Sequence, residues 1–164
     1  EDGLDFHGVL FIGLMIGEDG PKVIEYNSRF GDPETQVVLP RLKTDLVEIL
    51  EACIDGTLKD LDIQWSDEAA ACVVMASGGY PKSYPKGIEI KGLDENGQIS
   101  GATVYHAGTV YRDGRFFTNG GRVLGVTACG AALAEALEKA YDAVERISFD
   151  GAHYRKDIGK IGIQ

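Results

Sequence analysis

No apolar run in the 164 residues approaches the roughly 20 that a bilayer-spanning helix needs, so no transmembrane helix is expected. Glu1-Asp2-Gly3 is acidic, where a secretory signal would carry basic residues. Basic residues are scarce throughout. Sixteen Lys and Arg against 26 Asp and Glu leave a formal charge of −10, which disfavours nucleic acid or anionic membrane as a partner. A few basic side chains and backbone N–H groups are still enough for a local anion site. Cysteine is sparse and odd in number. Cys53, Cys72 and Cys129 lie in apolar stretches, and none has a histidine or second cysteine at metal-ligand spacing. They read as free buried thiols in a reducing compartment, the cytoplasm, and not as a disulfide frame. No Ser–His–Asp or Cys–His set is visible. His7 and His153 read as terminal-segment residues without a partner, and His106, in a strand ending at Gly108, as structural. Only 5 prolines occur, and no internal repeat.

Glycine is abundant instead, at 22 residues, clustered at turns between short strand-like runs. Apolar residues at 44% and charged residues at 26% are ordinary for a globular chain. The length fits one domain or two small ones, with a proper core available.

Residues 7–16 (HGVLFIGLMI) form an apolar run long enough for a buried strand. The turn Gly17-Glu18-Asp19-Gly20 and the run 22–27 complete a hairpin. Residues 28–36 are polar, broken by Gly31 and Pro33, and lead towards a helix. Over 45–55, Leu46, Ile49, Leu50, Cys53 and Ile54 share one helical face, with a capping box at Asp45 and Glu48 and a terminating Gly56. Residues 57–67 read as a loop, and 69–76 (AAACVVMA) as a second buried strand. An irregular loop spans 78–87. Short strands follow near 88–91, 102–106, 109–112, 115–118 and 122–127, with hairpin signals at Asn96-Gly97, Asp113-Gly114 and Asn119-Gly120-Gly121. A helix over 131–147 buries Leu133, Leu137, Ala140, Tyr141, Val144 and Ile147 beneath a charged outer face. The tail 150–164 is short and mixed.

The expected fold is α+β. The chain divides near residues 55–68, into 1–60 (a hairpin plus helix) and 61–164 (one small antiparallel sheet with a packed helix). So long an apolar strand in so small a first piece suggests that the chain begins inside a larger domain.

Functional residue types are densest over Glu25-Tyr26-Asn27-Ser28-Arg29-Phe30-Gly31-Asp32-Pro33-Glu34. On a strand, Glu25 and Asn27 share a face, with Arg29 next if the strand persists. A carboxylate, an amide oxygen and a guanidinium on one face suit a metal–nucleotide site. Mg²⁺ takes a few hard oxygen ligands and completes its shell with water and phosphate, and Arg offers planar donors to phosphoryl oxygens. The same spacing also describes a polar, solvent-facing strand. The apolar strand before it and the Gly-Asp-Pro-Glu elbow after it favour the site.

Arg29-Phe30-Gly31-Asp32-Pro33-Glu34-Thr35-Gln36 resembles the signature of the glycinamide ribonucleotide synthetase family of purine biosynthesis. Gly13–Ile16 and Gly20–Glu25 resemble its preceding hairpin. Ala76–Pro81, His106–Thr109, Thr118–Leu124 and Arg155–Gly159 resemble its C-terminal region, in order. The resemblance implies an ATP-grasp ligase that phosphorylates the glycine carboxylate with ATP. The amine of 5-phosphoribosylamine then attacks the glycyl phosphate, giving glycinamide ribonucleotide, ADP and phosphate. It implies Glu25 and Asn27 as ligands to Mg²⁺ or Mn²⁺, and Arg29 as the residue facing the reacting phosphoryl charge. Met15 and Ile24 are implied against the adenine ring, with ordinary core as the competing reading. The elbow Gly31, Asp32, Pro33 and Glu34 can present N–H groups to a substrate anion, or simply be capped by Asp32. Arg122 can reach substrate phosphate or form a surface salt bridge.

Many ATP-grasp enzymes carry a further metal-binding carboxylate about a dozen residues before the E-x-N, where this chain has Gly13. The synthetase family tolerates glycine there. By the resemblance, 1–60 is the end of the ATP-grasp domain, and its partner is the rest of the same polypeptide. No glycine-rich phosphate loop precedes a suitable Lys and helix here, so this piece is expected not to turn over alone. Two competing readings are another ATP-grasp ligase, disfavoured by Arg29–Gln36 and Gly13, and a non-catalytic binding module of the same fold.

Overall fold

The computed structural model describes Gly3 and residues 5–160, so the last four residues of the mixed tail lie outside it. The chain forms two compact units. One holds the described residues up to Thr35 together with Leu42–Ser66; the other holds Gln36–Arg41 and the described residues from Asp67 onwards. The segment 36–41 therefore belongs with the later part of the chain.

In the first unit, β1 (Phe11–Gly17) and β2 (Gly20–Asn27) form an antiparallel hairpin closed at Gly17 and Gly20. No third strand joins it among the described residues. The expected buried strand over 7–16 therefore starts later and is largely uncovered, with Leu14 50% and Ile16 79% exposed. Its apolar character is real, but a two-stranded ribbon has nothing to bury it against. The helical segment after the elbow is α1 (Thr35–Val38), followed by a 3-10 turn over Leu39–Arg41. Next comes α2 (Leu46–Asp55). Asp45 Oδ1 accepts from the Val47 N–H at 2.8 Å, and Gly56 ends the helix at φ 69°. Residues 57–67 are not wholly loop, because Leu58–Asp60 form a 3-10 turn and Trp65 bridges Leu42.

His7 is partnered, contrary to expectation. Its Nδ1 lies 2.8 Å from the Cys53 carbonyl in the last turn of α2, and its Nε2 lies 2.8 Å from Asp5 Oδ1. Both partners accept, so both ring nitrogens donate when the ring is charged. The Cys53 carbonyl, and then the Asp5 carboxylate, raise its pKa above the ordinary 6.5. A raised pKa means that the tether is at full strength below about pH 6.5 and is lost as pH rises through the folded value. An NMR titration is expected to give a His7 midpoint above about 6.5, shared by the Cys53 and Ile54 amides and lowered by Asp5→Asn. A midpoint at or below that value would remove the tether.

The second unit contains two antiparallel three-stranded sheets where one was expected. The first has order β3-β8-β5, from β3 (Ala69–Ala76), β8 (Arg122–Gly130) and β5 (Thr103–His106). The second has order β4-β7-β6, from β4 (Glu89–Ile90), β7 (Arg115–Thr118) and β6 (Thr109–Arg112). Of the three hairpin signals, Asp113-Gly114 alone closes a two-residue hairpin, pairing Arg112 with Arg115. Its φ values of 48° and 78° are the positive pair that a type I′ turn needs. Asn96-Gly97 is a turn held by Asp94, whose Oδ1 accepts from the Asn96 and Gln98 N–H groups. It joins strands of different sheets, as does Asn119-Gly120-Gly121.

The helix α3 (Leu133–Arg146) lies on the first sheet. Cross-strand pairs Val73–Val126, Met75–Leu124 and Val104–Val126 share the face that meets Ala140, Ala143, Val144 and Ile147 in the core. The small residues Ala136 and Ala143, absent from the expected stripe, let the helix approach the sheet closely. His106 is structural, placed by Thr109 Oγ1 at 2.8 Å, by the Gly97 carbonyl at 2.9 Å and by the Phe116 ring. None of the three cysteines is in a disulfide, and all are half-buried, short of the full burial expected. No described helix is long and apolar enough to cross a membrane.

Candidate functional site

The hairpin carries the candidate metal ligands. Alternation along β2 puts Glu25 and Asn27 on one face, opposite Gly13 and Phe11 respectively. A Cβ built at Gly13 would stand 3.1 Å from Glu25 Cγ. Glycine at 13 therefore leaves the room that the Glu25 side chain occupies, and a Cβ there would ask that side chain to shift by a few tenths of an ångström. This is a local physical reason for glycine at that place. Just beyond, the register slips: Gly13 pairs Glu25 but Leu14 pairs Val23, which leaves Ile24 as the extra residue of a β-bulge.

Met15 lies opposite Lys22, and Lys22 reaches Asp19 at 3.2 Å. Met15 is 61% and Ile24 62% exposed, so neither is core within this chain. Glu25 is exposed and Asn27 half-buried. Among the described residues no group of three or more His, Cys, Asp or Glu is placed to hold a metal ion. Glu25 and Asn27 offer one anionic and one neutral hard oxygen, a donor set that fits Mg²⁺ or Mn²⁺ with the rest of the shell from phosphate and water.

Arg29 does not continue the alternation. The strand ends at Asn27, and the Arg29 guanidinium folds back to donate to the Phe30 carbonyl at 2.8 Å. The elbow is a tight turn around the buried Gly31. Its carbonyl accepts from the Thr35 N–H at 3.1 Å and also from the Thr35 hydroxyl, and Asp32–Pro33 is cis. The Thr35 N–H is thus already committed within the turn, and α1 is only four residues long. An anion at this elbow would have to rely on groups other than that amide.

Arg122 belongs to the second unit, where it opens β8 and pairs with Ala76. It is exposed, and its Nε donates to the Tyr80 hydroxyl at 3.4 Å. Two grooves of this unit are lined around Ile88, Phe149 and Gly151, and around Tyr141, Tyr154 and Ile158; neither includes Arg122. What the sequence could have signalled is Gly121, whose missing side chain leaves room for the Tyr80 ring.

The described chain is thus a hairpin bearing a carboxylate–amide pair and an antiparallel α+β unit, and its class comes from comparison with known families. Residues 1–35 match the model of the phosphoribosylglycinamide synthetase ATP-grasp (A) domain, and residues 70–161 that of the phosphoribosylglycinamide synthetase C domain. The chain belongs to the phosphoribosylglycinamide synthetase family. It is 54% identical over 158 residues to a phosphoribosylamine–glycine ligase of Caldanaerobacter subterraneus, covering 96% of this chain and 37% of the relative. It is 52% identical to a trifunctional purine biosynthetic protein of Gallus gallus, covering 97% of this chain and 16% of that one. The crystal structure of a phosphoribosylamine–glycine ligase from Thermotoga maritima superposes with a TM-score of 0.76 at 35% identity, over 90% of this chain and 36% of that one. The chain therefore spans little more than a third of the length of the single-function ligases that it matches.

Proposed function

We propose that this chain is the carboxy-terminal portion of a cytoplasmic phosphoribosylamine–glycine ligase, which joins glycine to 5-phosphoribosylamine at the expense of ATP. The observation that carries the reading is the Glu25–Asn27 face opposite Gly13, inside a stretch that matches the family's ATP-grasp domain. In this reading Glu25 and Asn27 hold Mg²⁺ or Mn²⁺, which when bound neutralises charge on the ATP phosphates. Arg29 swings from its carbonyl contact to meet the phosphoryl group passing to the glycine carboxylate. Phosphoryl transfer depends chiefly on position and charge neutralisation, and these residue types supply both. Met15 and Ile24 offer apolar side chains to the adenine. The elbow Gly31–Glu34 and Arg122 take anionic groups of the substrates, Arg122 the ribose phosphate.

The rest of the polypeptide is the partner. Ile12, Leu14, Met15, Ile16, Val23, Ile24 and Tyr26 are each between 42% and 79% exposed, so the hairpin leaves apolar surface uncovered on both of its faces. The remaining ATP-grasp residues would cover part of it.

ADP release by the full-length polypeptide tests the reading. With Mg²⁺ and ATP, release is expected only when glycine and phosphoribosylamine are both present. Release without glycine would replace that substrate. No release from a folded full-length protein would leave a binding module.

A further inference from the structure

The sheet face of the second unit that looks away from α3 buries a hydroxyl with no partner among the described residues. Alternation along β8 puts Gly125, Thr127 and Cys129 on that face, and Cys72 and Thr103 pair with Thr127 on its two sides. Thr127 is 2% exposed, and its Oγ1 makes no hydrogen bond with any described residue. The segment 36–41 belongs to this unit and reaches the same face at both ends of the row. At one end, a Cβ on Gly125 would stand 3.3 Å from Cys72 Sγ, 3.8 Å from Tyr105 Cβ and 3.9 Å from Gln36 Cγ. Glycine there leaves about a methyl group of room beneath Gln36. At the other end, burial and then Glu68 raise the Cys129 thiol pKa, and Arg41 opposes the rise, which puts its charge near Cys129. Gln36 and Arg41 each have further interactions, and Gln36 Oε1 and Arg41 Nε are both buried.

We propose that Thr127 binds a buried water molecule, which fastens the segment 36–41 to β8 through Gln36 or Arg41. A hydroxyl left unpaired in the interior is costly, and folded proteins rarely keep one. Thr127 cannot turn to solvent, and its cross-strand neighbour Cys72 offers only a thiol, a weak donor and a weak acceptor. The polar groups select water over an ion. Arg41 Nε–H only donates, Gln36 Oε1 only accepts, and the Thr127 hydroxyl does either. An anion would face the Gln36 oxygen, and a cation would face the Arg41 charge. Water both donates and accepts, so it suits every one of these groups. The size agrees as well. A buried water needs about one probe sphere of space and two to four polar partners. Gly125, the neighbour of Thr127 on this face, contributes no side chain to fill that space.

The test uses the full-length polypeptide. A high-resolution crystal structure is expected to show one water within about 2.6–3.2 Å of Thr127 Oγ1 and of Gln36 Oε1 or Arg41 Nε. No density there, an ion in its place, or a Thr127 hydroxyl bonded directly to a protein atom would overturn the proposal. Thr127→Val gives a second readout whose sign decides, because it exchanges the hydroxyl for a methyl of nearly the same shape. If the water bridges, valine takes away one of its partners and loosens both β8 and the segment above it. Amide hydrogen exchange in peptides covering 36–41 and 122–130 is then expected to quicken about three- to tenfold. If the hydroxyl is merely unpaired, valine removes a penalty. The same peptides would then exchange at an unchanged or slower rate, and the proposal would fall.

Discussion

Glu25→Gln in the full-length ligase is expected to lower kcat by at least about 100-fold, with the fold intact. The substitution keeps the shape of the side chain and of its packing over Gly13, whose missing Cβ leaves the space for it. It removes the one full negative charge that the Glu25–Asn27 pair offers. A hard divalent cation is held by charge as much as by oxygen count, and an amide carbonyl is a poor replacement. Losing one group that neutralises developing charge typically costs about 10²- to 10³-fold. Glu25 is exposed on a hairpin edge, so the stability change should stay within about 0.5 kcal/mol. Higher Mg²⁺ or Mn²⁺ should recover part of the rate, since the lost ligand weakens metal binding before it alters chemistry. Activity within threefold of wild type at limiting metal would remove Glu25 from the metal site.

Local periodicity explains why so much of this architecture is readable in advance. Leu46, Ile49, Leu50 and Cys53 declare α2, and its ends are written in Asp45 and Gly56. The apolar run 69–76 and the stripe of α3 are equally explicit. That Glu25 and Asn27 share a face follows from a two-residue alternation, whereas their reading as metal ligands comes from the resemblance to the family. What escaped depends on partners distant in sequence. Asn96-Gly97 and Asn119-Gly120-Gly121 have hairpin chemistry, yet the strands on either side pair elsewhere, and that division into two sheets is not written in any turn. The bulge at Ile24 needs the register of both strands, and it displaces the simple alternation expected there. Arg29 leaves the β2 face because the strand stops two residues earlier. The segment 36–41 carries no periodic signal of its own, and it belongs with the residues after 66. Tyr80 was unmarked because its contacts, Gly121 and Arg122, lie some 40 positions away.

Leu124→Ala is expected to destabilise the second unit by about 3–4 kcal/mol, the larger of the two stability effects considered. Leu124 has no exposed surface and sits in β8, the strand that joins β3 and β5. It pairs with Met75 on one side and His106 on the other, and faces the α3 core with Val126 and Val144. Truncation removes three carbon atoms and leaves a cavity. Strands on both sides and a helix above hold that space open, so little collapse can relieve it, and the cost falls in the upper part of the usual range. A tertiary probe of this unit is available, because six of the seven tyrosines lie in it, at 80, 84, 105, 111, 141 and 154. Urea unfolding followed by near-ultraviolet circular dichroism should show a lower midpoint with an unchanged slope. A loss below about 1 kcal/mol would mean that the site collapses after all, and would contradict the close packing of α3 on the sheet. Glu25→Gln and Leu124→Ala separate two kinds of dependence. The first should lose turnover without stability. The second should lose stability while the surviving folded fraction keeps its metal dependence, because Leu124 belongs to the core of the second unit and the groups assigned to the metal to the first.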